Sequence, residues 1–254
     1  MALVRRVRAD NPGPFTGPGT NTWLLGEAPA VIVIDPGPDD DAHLAAIERA
    51  LGGVALGVVL VTHSHADHLG LAARLAARHH ARLERFPSLA DGDVVRVGPL
   101  AVTALHTPGH AADHLAFWMP EDRVLFTGDL ILGRGSSMVT YPEGNVAAYL
   151  RSLERVGALQ PRMLFPGHWD PIQDAGAKIR EYREHRLVRE EQLVAELRGG
   201  GPGSAAELTR RVYEAEVGGN QALLGAAEMT LLAHLRKLVE EGRAVERDGS
   251  YSLT

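Results

Sequence analysis

The apolar run Gly57-Val58-Val59-Leu60-Val61 leads into Thr62-His63-Ser64-His65-Ala66-Asp67-His68-Leu69-Gly70, and an amphipathic stretch, Leu69 to Ala77, follows. This order predicts a buried strand, a short loop crowded with imidazoles and a carboxylate, and a helix. Such a loop has the composition of a metal site. The chain contains no cysteine, so disulfides and thiolate ligands are excluded. Any metal must be held by imidazole nitrogen or carboxylate oxygen.

The same arrangement recurs along the chain. Strands are expected at Leu3 to Arg8, Asn21 to Gly26, Ala30 to Asp35, Gly57 to Thr62, Arg82 to Phe86, Asp93 to Val97, Leu100 to His106, His114 to Met119, Arg123 to Phe126 and Arg162 to Phe165. Helices are expected at Asp39 to Leu51, Asp67 to His80, Asn145 to Val156 and Gln173 to Arg198. Thr107-Pro108-Gly109 leads to His110, Thr127-Gly128 to Asp129, and Pro166-Gly167 to His168, each in a loop at or near a strand end. Loops that share one edge of a layered sheet fold can converge in space. With His63, His65, Asp67 and His68 they supply five histidines and two aspartates. That is too many for one tetrahedral ion and suits two ions sharing a carboxylate.

The blocks His63 to His68, Thr107 to His110, Thr127 to Asp129 and Pro166 to His168 resemble the metallo-β-lactamase superfamily. The resemblance covers roughly residues 15 to 175 and includes the strand end Asp35-Pro36-Gly37. It implies an αββα sandwich with the metals at one edge. His63, His65 and His110 would hold one ion, Asp67, His68 and His168 a second, with Asp129 bridging. Two Zn2+ ions are the expected cofactors, with iron or manganese as alternatives. A narrower resemblance rests on His110-Ala111-Ala112-Asp113-His114, Gly128 to Gly133 and His185 to Glu190. Those blocks are similar to the β-lactamase-like-2 family, which includes a metal-dependent endoribonuclease acting on single-stranded RNA; related members hydrolyse acyl-carrier thioesters.

The expected activity is hydrolysis. Two cations about 3.5–4 Å apart lower the pKa of a shared water and generate a bridging hydroxide. Asp67 is the candidate catalytic residue, orienting that nucleophile and shuttling its proton. Arg134, Ser136 and Ser137 could face a substrate oxygen. Single-stranded RNA is the leading substrate expectation, and it calls for a basic channel built from arginines such as Arg74, Arg78 and Arg134. The alternatives are a thioester, ester or lactone hydrolase of glyoxalase II or acyl-carrier thioesterase type, an iron-dependent persulfide dioxygenase, and a non-enzymatic binder with a structural metal. On the plainer reading Asp67 only caps the helix that starts there. His43, His79, His80, His106 and His234 read as structural or exposed, and His114 as a residue that orients a ligand from behind.

Gly199-Gly200-Gly201-Pro202-Gly203 reads as a flexible linker, which places a catalytic domain at 1–198 and a small winged-helix-like domain at 204–254. Ser204-Ala205-Ala206-Glu207 fits a capping box opening a helix to about Glu216. Gly225 to Glu241 reads as a second helix with a core stripe at Leu231, Leu232, Leu235 and Leu238, and Arg243 to Leu253 as a hairpin turning at Asp248-Gly249. From Gly201 to the end the chain has six basic and eight acidic residues, so no duplex DNA partner is expected. Closing one side of the site, or homodimerisation, fits that balance better. The highly charged Lys178 to Arg198 stretch reads as a solvated helix face. A net charge of -6, no long apolar run and no signal-peptide core predict a cytoplasmic protein without membrane contact.

Overall fold

The computed structural model describes residues 3–217 and 221–254. The chain divides into two compact units. The first comprises the chain up to Thr107 with Asp113–Ser137 and Arg155–Lys178; the second comprises Pro108–Ala112, Met138–Glu154 and Ile179–Thr254.

Two five-stranded sheets make the first unit. One sheet has the order β1 (Val4–Arg8), β2 (Asn21–Leu25), β3 (Ala30–Ile34), β4 (Ala55–Leu60), β5 (Arg82–Glu84). Its first three strands run antiparallel, whereas β3, β4 and β5 are parallel. The other sheet has the order β10 (Met163–Pro166), β9 (Val124–Gly128), β8 (Leu115–Met119), β7 (Leu100–His106), β6 (Val94–Val97), with only β9 and β10 parallel.

The sequence period explains how the first sheet is covered on both faces. Successive side chains of a strand point to opposite sides. Ile32, Ile34, Val58, Leu60, Trp23 and Leu25 point inward to Phe117, Phe126 and Phe165 of the second sheet. Val31, Val33, Val59, Val61 and Leu24 point outward to Leu44, Ile47 and Leu75. Those outer partners lie on α1 (Asp41–Leu51) and α3 (Ala72–Arg78). Burial on both faces is why these strands are nearly all apolar rather than alternating. Each fully buried aliphatic or aromatic side chain contributes about 1.5–3 kcal/mol.

Local signals set the ends of α1. Asp40 caps it by accepting from the His43 N–H at 2.7 Å, and Gly52 closes it in the left-handed conformation. The helix expected from Asp67 to His80 is broken in two, α2 (Ala66–Leu69) and α3. The Leu71 N–H bonds to the Gly37 carbonyl at 3.0 Å. There the chain crosses Pro38-Asp39 so closely that a Cβ on Gly70 would lie 2.6 Å from the Asp39 nitrogen. This contact with a neighbouring loop overrides helical propensity.

The second unit includes α4 residues up to Glu154 (the helix is Val146–Ala158), most of α5 (Ala175–Gly199), then α6 (Ala205–Val217), α7 (Gln221–Glu240) and a small sheet. The capping box is formed: Ser204 N donates to Glu207 Oε2 at 2.8 Å, and Glu207 N to Ser204 Oγ at 3.3 Å. Leu231, Leu235 and Leu238 are buried as the stripe predicts, with Leu232 only partly so. The end of the expected linker is structured. Gly203–Ser204 is strand β11, paired with β13 (Ser250–Leu253), which also pairs with β12 (Ala244–Arg247). Asp248 and Gly249 turn the hairpin with φ of 50° and 76°, the paired positive values a tight two-residue turn requires. The helix expected as a solvated face departs from that reading. Leu193 and Leu197 enter the core of this unit, and Arg186, Arg189 and Glu190 are buried. Their charges are tolerated because partners accompany them. Among the described residues no helix is long and apolar enough to cross a membrane.

Candidate metal centre

Parallel strands carry their C-terminal ends to one edge, and the functional side chains stand there. His63, His65, Asp67 and His68 follow β4, Asp35 follows β3, Asp129 follows β9, and His168 follows β10. The Leu115 N–H donates to the Thr62 carbonyl at 2.7 Å, joining the two sheets at this edge. Ligand atoms of His63, His68 and Asp129, and of Asp67, His68 and His168, form two overlapping groups within 4.8 Å.

Four of these atoms are arranged like the corners of a coordination shell. Asp67 Oδ2 lies 3.5 Å from His68 Nε2 and 3.3 Å from His168 Nε2. Asp129 Oδ1 lies 3.4 Å from each of the same two nitrogens. Ligands about 2.0–2.1 Å from a tetrahedral ion are separated by roughly 3.3–3.4 Å, so a zinc-sized ion fits the set. His68 Nε2 is fully buried and makes no hydrogen bond of proper geometry. A buried polar atom without a partner is costly unless something absent from the chain satisfies it. Gly167 allows the approach, since a Cβ there would lie 2.7 Å from both Asp129 Oδ1 and His68 Cε1.

A second layer of polar groups fixes which ring nitrogen faces the centre. His68 Nδ1–H donates to Asp35 Oδ2 at 2.8 Å. Asp35 also accepts the Thr62 N–H at 2.7 Å and the Thr62 hydroxyl at 2.8 Å. With its proton committed to Asp35, the hydroxyl accepts from His63 Nδ1–H at 2.9 Å. One carboxylate therefore sets the tautomer of His68 directly and of His63 through Thr62, leaving both Nε2 atoms for a ligand. His63 Nε2 and His65 Nδ1 converge to 2.8 Å. His110 belongs to the second unit, where its Nδ1–H donates to the Met138 carbonyl at 2.6 Å.

Electrostatics follow from burial and close charges. Burial would push the Asp129 carboxyl up, but His68 and His168 hold it well below the usual range. Burial would lower His168, yet Asp129 and Asp67 raise it to about 9. His68 is likewise raised well above its ordinary value, against burial, by Asp129 and Asp35. Asp67 resists the upward push of burial and is lowered by His168 and His68. A cation held there would take the place of imidazole protons, so its binding would release protons.

The structure bears on several sequence readings at this edge. Asp67 does not cap α2; His65 holds the cap position, without a side-chain bond. Ser137 does not face outward, because its buried hydroxyl bonds the Asp129 carbonyl at 2.5 Å and holds that loop. His114 bonds the backbone of that loop: its Nε2 accepts the Asp129 N–H at 3.2 Å and its Nδ1 donates to Thr107 Oγ1 at 2.9 Å. Arg74 pairs with Asp39 and Asp41, and Arg78 with Glu48. Sequence reasoning read Asp35 only as a strand end; its tight Asp35-Pro36-Gly37 break was the signal available.

A fold of two mixed sheets carrying such a cluster of histidines and aspartates at one edge is that of a metal-dependent hydrolase. The model of the metallo-beta-lactamase superfamily matches residues 15–91 and 84–168, and that of the beta-lactamase associated winged helix domain matches 204–251. The chain belongs to the metallo-beta-lactamase superfamily. It is 32% identical over 228 residues to a beta-lactamase-like protein 2 homolog of Caenorhabditis elegans, covering 83% of this chain and 76% of that one. It is 36% identical over 206 residues to an atrochrysone carboxyl ACP thioesterase of Aspergillus chevalieri, covering 77% and 66%. A beta-lactamase domain protein from Burkholderia ambifaria superimposes with a TM-score of 0.85 at 26% identity, over 99% of this chain and 91% of that one. A structure solved in a di-iron-bound form matches with a TM-score of 0.55 at 26% identity, over 68% and 96%.

Proposed function

We propose that this chain is a dinuclear zinc hydrolase that opens an activated carbonyl, a thioester or ester. His63, His65 and His110 would hold one ion and Asp67, His68 and His168 the other, with Asp129 as the group shared between them. The observation that carries the reading is the fully buried Nε2 of His68, with no hydrogen bond, amid carboxylate and imidazole atoms at tetrahedral spacing. When bound, the ions supply a water ionised near neutral pH and a Lewis acid for the substrate oxygen. Asp67, its carboxyl lowered by His168 and His68 and partly open, would accept a proton at Oδ2 and could return it to a leaving group. Asp35 and Thr62 keep His68 and His63 in the tautomer that faces the centre.

Two observations favour a carbonyl substrate. Arg74 and Arg78 are already paired with carboxylates, which removes much of the positive field that RNA needs. The 36%-identical relative is named as a thioesterase. Single-stranded RNA is the second reading, supported by Arg134, exposed on the loop after Asp129.

An assay panel of single-stranded RNA, an acyl thioester and a lactone separates the readings. Thiol release is expected from wild type and should fall about 100- to 10,000-fold in Asp67→Ala, with RNA intact. RNA cleavage without thiol release would overturn the carbonyl reading. Equal product from both proteins would remove Asp67 from its role. Metal analysis giving one iron and no zinc would instead favour the dioxygenase.

Asp35→Asn should weaken metal binding about 10- to 100-fold, because an amide cannot accept from Thr62 and His68 at both ends. Chelator competition measures this; unchanged affinity would show that the tautomers are set elsewhere.

A further inference from the structure

We infer that Thr20 and Asn11 form a positioning pair for Asp67, so that a loop distant in sequence sets the second metal position. The inference rests on the dinuclear reading above.

Thr20 is completely buried, so its hydroxyl has no solvent to bond. Asn11 holds it on two sides. The Thr20 N–H donates to Asn11 Oδ1 at 2.8 Å, which fixes the orientation of the amide. Asn11 Nδ2 then donates to Thr20 Oγ1 at 3.0 Å. That donation occupies a lone pair of Thr20 and turns its own proton outward. The acceptor it meets is Asp67 Oδ2, 3.4 Å away. This is the oxygen that stands 3.3 Å from His168 Nε2 and 3.5 Å from His68 Nε2. The contact restricts rotation of the carboxylate and keeps Oδ2 aimed at the two imidazoles.

The same segment reaches the other side of the centre. The Gly19 carbonyl accepts from His168 Nδ1 at 3.4 Å, which leaves Nε2 facing inward. The Asn21 N–H donates to the Gly167 carbonyl at 2.7 Å, and Thr20 bridges His168 in antiparallel fashion. Ala9 N bonds the Thr20 carbonyl at 2.8 Å, and Thr16 Oγ1 the Asn11 carbonyl at 2.6 Å, which ties Asn11 into its own loop. The Gly- and Pro-rich segment between β1 and β2 is thus a brace for Asp67 and His168.

The test compares wild type, Thr20→Val, Thr20→Ser and Asn11→Ala, with zinc affinities from chelator competition, kcat and KM on a thioester, and thermal melts of the metal-free proteins. Thr20→Val keeps the side-chain shape without the hydroxyl. It should bind one ion as wild type does and lose about 10- to 100-fold in affinity for the other. Its kcat should fall with KM little changed. Thr20→Ser should restore both, and Asn11→Ala should lower the same affinity by a smaller factor. Wild-type affinity for both ions in Thr20→Val would overturn the inference. So would Thr20→Ser as impaired as Thr20→Val, because the methyl group and not the hydroxyl would then be responsible. If Thr20→Val does not fold, Asn11→Ala decides on the same affinities. A wild-type protein that binds fewer than two ions would overturn the dinuclear reading and this inference with it.

Discussion

Asp129→Asn should retain the fold and lose the chemistry. The carboxylate stands 3.4 Å from Nε2 of both His68 and His168 and also groups with His63, a residue of the other proposed ion, within 4.8 Å, which suits a bridge in the proposed pair. Its backbone is fixed independently of the side chain, through the His114 ring on its N–H and Ser137 on its carbonyl. An asparagine therefore occupies the same position with nearly the same shape. It removes a full negative charge that the two imidazoles hold well below the ordinary carboxyl range. It also replaces one of two equivalent oxygens with a group that cannot bind a cation. Bound zinc should drop from about two ions per chain to one or fewer after desalting, and kcat/KM should fall at least about a thousandfold, near 4 kcal/mol of transition-state stabilisation. Elemental analysis and steady-state kinetics measure both, and circular dichroism checks the fold. A variant that keeps two ions and stays within tenfold of wild type would remove Asp129 from the bridge.

Asp129 is legible in the sequence because its block has a fixed form. Thr127-Gly128-Asp129 ends a strand, as do the other motif blocks, and short spacings at strand ends survive translation into three dimensions. The sandwich was legible for a related reason: strands buried on both faces leave continuous apolar runs such as Ala30 to Ile34. What was not legible depends on pairs far apart in the chain. Asp35 reaches Thr62 and His68 across 27 and 33 residues. Asn11 and Thr20 reach Asp67 from a loop that reads only as Gly- and Pro-rich. The break at Gly70 arises from a neighbouring loop, which no helical period reveals. Arg74 and Arg78 read as candidate RNA contacts until their partners on α1 and just before it are known. Sequence shows which groups are present; pairing decides which of them face a substrate without a counter-charge beside them.

The same lesson yields the largest effect expected in the second unit. Glu190 lies in a helix stretch whose charges read as solvated, yet its side chain is only 7% exposed. One oxygen lies 2.7 Å from Lys237 Nζ on α7, and the other pairs with Arg243 just before β12. Glu190 thus joins α5 to both neighbours at the rim of the core formed by Leu193, Leu235 and Leu238. Glu190→Ala leaves the Lys237 ammonium, 9% exposed, with Glu241 as its remaining counter-charge at 2.9 Å. Breaking a buried pair typically costs 3–5 kcal/mol; because Lys237 keeps Glu241, about 3 kcal/mol is expected here. For a chain of this size that is a fall in Tm of about 6–12 °C. The effect should depend on pH in a definite direction. Burial would raise the Glu190 carboxyl, but His234, Lys237 and Arg243 bring it from 4.5 to about 2. A depressed carboxyl contributes its stability above its unfolded value and loses it as the pH falls through its folded value. The gap between wild type and Glu190→Ala should stay constant from pH 7 to about 4.5 and narrow below that. Calorimetry of both proteins at pH 7, 4.5 and 3 measures it. A gap as wide at pH 3 as at pH 7 would mean that lost packing, rather than the ion pair, separates the two proteins.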